Sequence, residues 1–168
     1  ETYINRLIDK GYKVAICEQV EDPKTAKGIV KREVTRVVTP GTNLNMQELD
    51  EGKNNYLMAI VCVGDHFGVS TADITTGDCY VTEIDEERKL WDEINKFLPA
   101  EIICNDAFLV SGVDVDDLRN RLHISVFALE SWYFGDDLCK QTLLEHFKIS
   151  SLEGLGLADY DSGVIAAG

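Results

Sequence analysis

The eight residues Tyr56–Val63 (YLMAIVCV) constrain the fold more than any other stretch, because they are apolar at nearly every position. A strand with one wet face alternates. A continuous apolar run of this length predicts a strand covered on both faces, at the centre of a sheet. Gly64-Asp65 then turns the chain into Phe67–Thr75, and Thr76-Gly77-Asp78 turns it into Cys79–Ile84, so an antiparallel meander is expected. Leu90, Trp91, Ile94, Phe97 and Leu98 recur with a helical period between an N-cap expected at Asp85 and a stop at Pro99. Glu101–Cys104 is a short apolar strand, expected parallel to the first through a helical crossover. A helix around Asp116–Leu122 and a strand Ile124–Leu129 repeat that unit. A helix over Asp136–Phe147 follows, and Asp161-Ser162 is expected to cap a final apolar helix. This order predicts an α/β fold: a mixed sheet with flanking helices.

The preceding stretch has its own organisation. Tyr3, Ile4, Leu7 and Ile8 share a helical face, and Gly11 stands where a helix-ending glycine belongs. A strand Tyr12–Glu18 and a second strand holding Arg32, Val34, Arg36 and Val38 on one side flank a basic connector. Within the connector, Asp22-Pro23 is expected to start a helical turn that Gly28 closes. Pro40-Gly41 ends this part of a small α+β domain. Residues 43–55, polar and rich in Asn, read as a linker.

Charge divides the chain at the same place. Residues 1–42 carry eight Lys/Arg against six acids, net +2, while the remaining 126 residues hold eight basic and twenty-four acidic groups, net −16. Phosphate is repelled by the second part, so nucleic acid is expected on the first. Five cations between residues 24 and 36 are opposed only by Glu33. They form either a solvated rim or a set of phosphate contacts, with Lys24, Lys27, Lys31 and Arg36 as the candidates.

Several chemistries find no footing. The five cysteines (Cys17, Cys62, Cys79, Cys104, Cys139) are spread out and form no C-x-x-C pair, which fits buried, reduced thiols better than a zinc site. A metal-dependent nuclease on such a sheet needs converging carboxylates, yet the first strand contains none, and Asp73 lies beside turn residues. No phosphate-binding G-x-x-x-x-G-K-[ST] loop occurs. Trp132, Tyr133 and Phe134 are either a stacking platform or, more commonly, a plug that packs a loop onto the core. On the helix Asp136–Phe147, Cys139, Leu143 and Phe147 are expected to face the sheet. Asp137, Gln141, Glu145 and Lys148 then face outward, either as a solvated surface or as a partner surface.

The run VAICEQVEDP (Val14–Pro23), the T-x-K-G of Thr25–Gly28 and VTRVVTPGT (Val34–Thr42) resemble, in order, the MutS family of DNA mismatch-repair proteins. Beyond Asp50 the resemblance rests on the element order, on ADITTGD (Ala72–Asp78) and on the closing Gly-Leu-x-Asp. It implies that residues 1–42 end a mismatch-recognition domain, 43–55 link, 56–160 form a ribonuclease-H-like connector, and 161–168 begin a helix toward the next domain. The chain opens on Glu1 and closes within an apolar run, as an internal piece of a longer polypeptide would. The resemblance places the mismatch wedge before Glu1, and the ATPase with its ATP and Mg²⁺ beyond Gly168. This stretch itself is then expected to be no enzyme and to hold no cofactor. Its implied part is non-specific contact with the backbone of mismatched duplex DNA, and a connector that relays state and docks MutL. The whole protein would be a homodimer in the bacterial cytosol, away from membranes. The competing reading is a catalytically dead ribonuclease-H-like interaction module without a DNA role.

Overall fold

A computed structural model describes residues 2–22, 28–43 and 54–168. Residues 23–27 of the expected turn and most of the expected linker lie outside the described residues; Gly28, expected to close the turn, has φ 122°.

A five-stranded sheet forms the larger part. It contains β3 (Tyr56–Val63), β4 (His66–Asp73), β5 (Cys79–Ile84), β6 (Glu101–Cys104) and β7 (Ser125–Ala128), in spatial order β5-β4-β3-β6-β7. β3, β4 and β5 pair antiparallel, whereas β6 runs parallel to β3 and β7 parallel to β6. The apolar run explains the central place of β3. Met58, Ile60 and Cys62 join a core with Leu90, Ile94 and Phe108 on one face of the sheet, while Ala59 and Val61 pack with Ala166 on the other. Burial on both faces is what a strand without alternation requires.

The helices connect and cover the sheet. The crossover from β5 to β6 is α2 (Glu87–Phe97), which buries Leu90 and Ile94 one turn apart. Its N-cap is Glu86, with no side-chain cap bond, instead of the expected Asp85; Glu86 pairs with Lys89 at 2.7 Å. Between β6 and β7 stand α3 (Asp106–Leu109) and α4 (Val115–Asn120). Too short to show a period, α3 escapes sequence reading. Its cap Asn105 also bonds the N–H and C=O of Cys62 at 3.0 and 2.9 Å, tying the β6 end to β3.

α5 (Asp136–Phe147) and α6 (Ser162–Ala167) close the other face. α6 lies so near the sheet that a Cβ built on Gly68 would be 2.0 Å from the Ser162 carbonyl oxygen. Asp161 does not cap α6 with its side chain. The Glu83 carboxylate from β5 accepts from Asp161 N, Ser162 Oγ and Gly163 N at 2.7, 3.1 and 2.8 Å. Burial alone would raise the Glu83 pKa, but these bonds hold it below the ordinary value. Phe147 departs from its expected inward place: Cys139 and Leu143 are buried, but Phe147 is 44 % exposed.

The smaller part holds α1 (Thr2–Ile8) and an antiparallel pair, β1 (Val14–Gln19) with β2 (Arg32–Val38). Of the expected α1 face only Ile8 is buried, joined by Asn5, while Tyr3 and Leu7 face solvent. Cys17 and Cys79 are exposed, against the expectation of buried thiols. Burial pushes the Cys104 thiol up to about 12, which leaves it inert.

Candidate nucleic-acid and partner interfaces

Of the cations that sequence reading singled out, the β1–β2 hairpin carries Arg36 on β2, and Lys31 directly precedes that strand. Pairing runs from Val14↔Val38 to Gln19↔Arg32, with an irregularity where Ile16↔Arg36 is followed by Cys17↔Val34. Thr35 is therefore the extra residue of a bulge, and its hydroxyl donates to the Ile16 carbonyl at 3.3 Å. The bulge interrupts the alternation that put Arg32 and Arg36 on one side. Lys31 is not an uncompensated cation, because its Nζ lies 2.6 Å from the Glu33 carboxylate, both groups being exposed. Among the described residues no ion pair engages Arg32 or Arg36, and both side chains face solvent. Lys24 and Lys27 lie outside the described residues. Of the four candidates the structure thus places two, Lys31 and Arg36, and Lys31 is paired.

Sequence reading missed what fixes the hairpin to the sheet. The turn Pro40–Thr42 closes on itself, with Thr39 N donating to Thr42 Oγ1 at 3.0 Å. It then docks. Gly41 N donates to Glu101 Oε2 at 2.9 Å, and Asn55 Nδ2 donates to the Pro40 carbonyl at 3.1 Å. Glu101 is 2 % exposed on a sheet strand, an unusual place for a carboxylate without a donor aimed at it. A Cβ at Gly41 would come within 3.0 Å of Leu57 Cδ1 and 3.1 Å of Glu101, so the glycine allows the approach. Elsewhere Lys13 Nζ sits 4.0 Å over the Phe127 ring of β7. No local pattern pairs residues so far apart in the chain.

The acids of the sheet are committed to structure. Asp73, buried, accepts from Thr75 N and Thr75 Oγ1 at 2.8 and 2.6 Å and from Asn55 N at 3.3 Å. Burial would raise its pKa, and these donors hold it below the ordinary carboxylate value. Among the described residues no three His, Cys, Asp or Glu side chains gather as a metal site would need. No described helix is long and apolar enough to cross a membrane.

On α5, Asp137, Gln141, Glu145 and Lys148 are all exposed, as the helical period predicts. Gln141 Nε2 donates to Glu145 Oε1 at 2.6 Å, and Lys148 ends the helix in a left-handed conformation at φ 54°. The aromatic cluster divides. Phe134 packs against Ala59, Val61 and Ala166, while Trp132 and Tyr133 stack on each other at 3.7 Å and stay largely exposed. Neither the plug nor the platform describes all three rings.

Comparison with known proteins gives a consistent picture. The profile of MutS domain I matches residues 1–47, and that of MutS domain II matches residues 55–168. A protein of Lachnoclostridium phytofermentans described as "DNA mismatch repair protein MutS" is 62 % identical over 168 residues, which is 100 % of this chain and 18 % of that protein. Proteins of the same description from Ruminiclostridium cellulolyticum and Methanosarcina mazei are 45 % and 42 % identical, over 100 % and 99 % of this chain and 19 % and 20 % of theirs. The chain spans about a fifth of the length of these curated relatives.

Proposed function

We propose a division of labour for this chain, which belongs to the MutS family of DNA mismatch-repair proteins: the hairpin part touches the DNA backbone, and the sheet part is a connector that carries state between domains. In this reading residues 1–42 complete a mismatch-recognition domain, 43–55 link, 56–160 form the connector, and 161–168 lead onward. The ribonuclease-H-like label for the connector is supported by the β5-β4-β3-β6-β7 order with antiparallel β4. The full-length protein would recognise mismatched duplex as a homodimer in the cytosol and use ATP and Mg²⁺ in a separate domain. It would dock MutL through its connector, where Asp137, Gln141, Glu145 and Lys148 supply an exposed surface.

One observation carries the DNA half of this reading. In a chain of net charge −14, the hairpin presents Arg32 and Arg36 to solvent without carboxylate partners among the described residues, on a base docked into the sheet by Gly41 and Glu101. A held arginine contacts phosphate at lower entropic cost than one on a free segment. Lys24 and Lys27 extend the same cationic run. Lys31 ranks lowest, since it must leave Glu33 first.

The test is the salt dependence of duplex binding by full-length protein carrying Arg36→Gln. Affinity for matched and mismatched DNA should fall about equally, and the log–log salt slope should drop by about one unit for one lost phosphate contact. An unchanged slope would favour the competing reading, an interaction module without a DNA role.

A further inference from the structure

A cleft of about 630 Å³ lies where the α1–β1 turn meets β7, and neither half of the molecule forms it alone. Lys10, Gly11 and Tyr12 line one side; Arg119, His123 and Phe127 line the other. Charge makes it unusual. The sheet part is strongly acidic, yet Arg119 comes from that part and lines the cleft with Lys10, while Asp9 is the single carboxylate in the lining; the His123 ring adds a polar group. Lys13 adds a further cation, held over the Phe127 ring that forms part of the wall.

The cations are placed by the fold. Arg119 Nη2 donates to the Val126 carbonyl at 2.9 Å, which anchors the guanidinium on β7 and leaves further N–H donors of its planar fork unused by that bond. No ion pair engages Lys10, Lys13 or Arg119 among the described residues. His123 adopts a left-handed backbone at φ 57°, held between α4 and β7. Gly11, at φ 79°, comes so close to β7 that a Cβ there would lie 2.8 Å from Ser125 Oγ. Lys13 over the Phe127 ring joins the two walls.

We propose that this junction cleft, lined by Lys10, Arg119 and His123 with Lys13 beside its Phe127 wall, is a phosphate-binding site that takes a phosphate of a duplex DNA backbone. The guanidinium fork matches two phosphate oxygens, and the lysines add point charge. An open cleft suits a phosphodiester that passes through it. The assignment rests on the DNA reading above only for the source of the phosphate, and it moves one DNA contact onto the acidic half.

The experiment is lysine acetylation footprinting of the full-length protein, read by mass spectrometry, with three additions: matched duplex DNA, inorganic phosphate at equal phosphate concentration, or neither. Duplex should protect Lys10 several-fold more than inorganic phosphate does. Arg119→Gln and Lys10→Gln should each lower the salt slope for duplex by about one, which is about a fivefold loss of affinity at ~0.15 M salt. Lys10→Gln keeps the test open should Arg119→Gln disturb β7, because the Lys10 side chain is exposed and in no ion pair among the described residues. In Arg36→Gln, protection of Lys10 should persist, so failure of the hairpin contact and failure of the cleft read differently. Equal protection by inorganic phosphate with unchanged salt slopes would overturn the backbone assignment. No protection by either addition would overturn the site.

Discussion

β3 and β2 are strands of similar length and both are rich in Val and other apolar residues, yet β3 buries five consecutive positions and β2 buries only its last. The difference lies in what covers them. α2 and α3 meet one face of β3 and α6 meets the other. Among the described residues β2 has β1 beside it and little else, and Val34 and Val37 are exposed. An isolated hairpin is marginal in water. This one is held at its base, by the Thr39–Thr42 turn and the Gly41–Glu101 bond, and at β7 by Lys13 over Phe127. Burial in the sheet is collective, whereas attachment of the hairpin depends on a few polar contacts.

That contrast can be broken at graded points. The largest effect is expected from Gly68→Ala, because the new methyl would press on backbone of α6, not on a movable side chain. Overpacking of this kind costs about 1–3 kcal/mol, and here the upper end or more is expected, read as the denaturation midpoint of the sheet. Retention of wild-type stability would mean that α6 packs more loosely than its contact distances indicate.

Glu101→Ala comes next. It removes the acceptor of Gly41 N, so a cost of about 1–3 kcal/mol is expected, concentrated at the junction. Hydrogen exchange should show amides of residues 39–42 and of the hairpin losing protection while β3 keeps its own. Uniform loss across β3 would show instead that hairpin and sheet unfold as one unit.

Acid offers a smaller and more general lever. Asp73 and Glu83 both have folded pKa values below their ordinary ones, so each contributes stability that is fully present above its unfolded value of about 4. That contribution is lost as pH falls through the lower folded values. Midpoint against pH should therefore decline below about pH 4, with Glu83→Gln flattening part of the decline. A curve unaffected by Glu83→Gln would remove this carboxylate from the capping of α6.

The smallest effect belongs to Val34→Ala. The side chain is already exposed, so stability should change by no more than about 0.5 kcal/mol, against about 2–5 for a truncation such as Ile60→Ala in the core. A loss from Val34→Ala approaching the core value would show the hairpin to be covered in solution.

Most of the sheet was legible in the residues themselves, because its signals are local. Tyr56–Val63, Cys79–Ile84, Glu101–Cys104 and Asp136–Phe147 form the expected elements with the expected bounds, since apolar runs, two-residue turns and helical periods depend on near neighbours. The fully exposed set on α5 was legible for the same reason. The tertiary structure decided the rest. It chose Glu83 instead of Asp161 to cap α6, left Phe147 and Trp132 in solvent, paired Lys31 with Glu33 and inserted the Thr35 bulge. It also brought Lys13 to Phe127 and Gly41 to Glu101. A side chain's partner across a sheet or between two sheets depends on distances that the folded chain sets, and no spacing along the sequence encodes them.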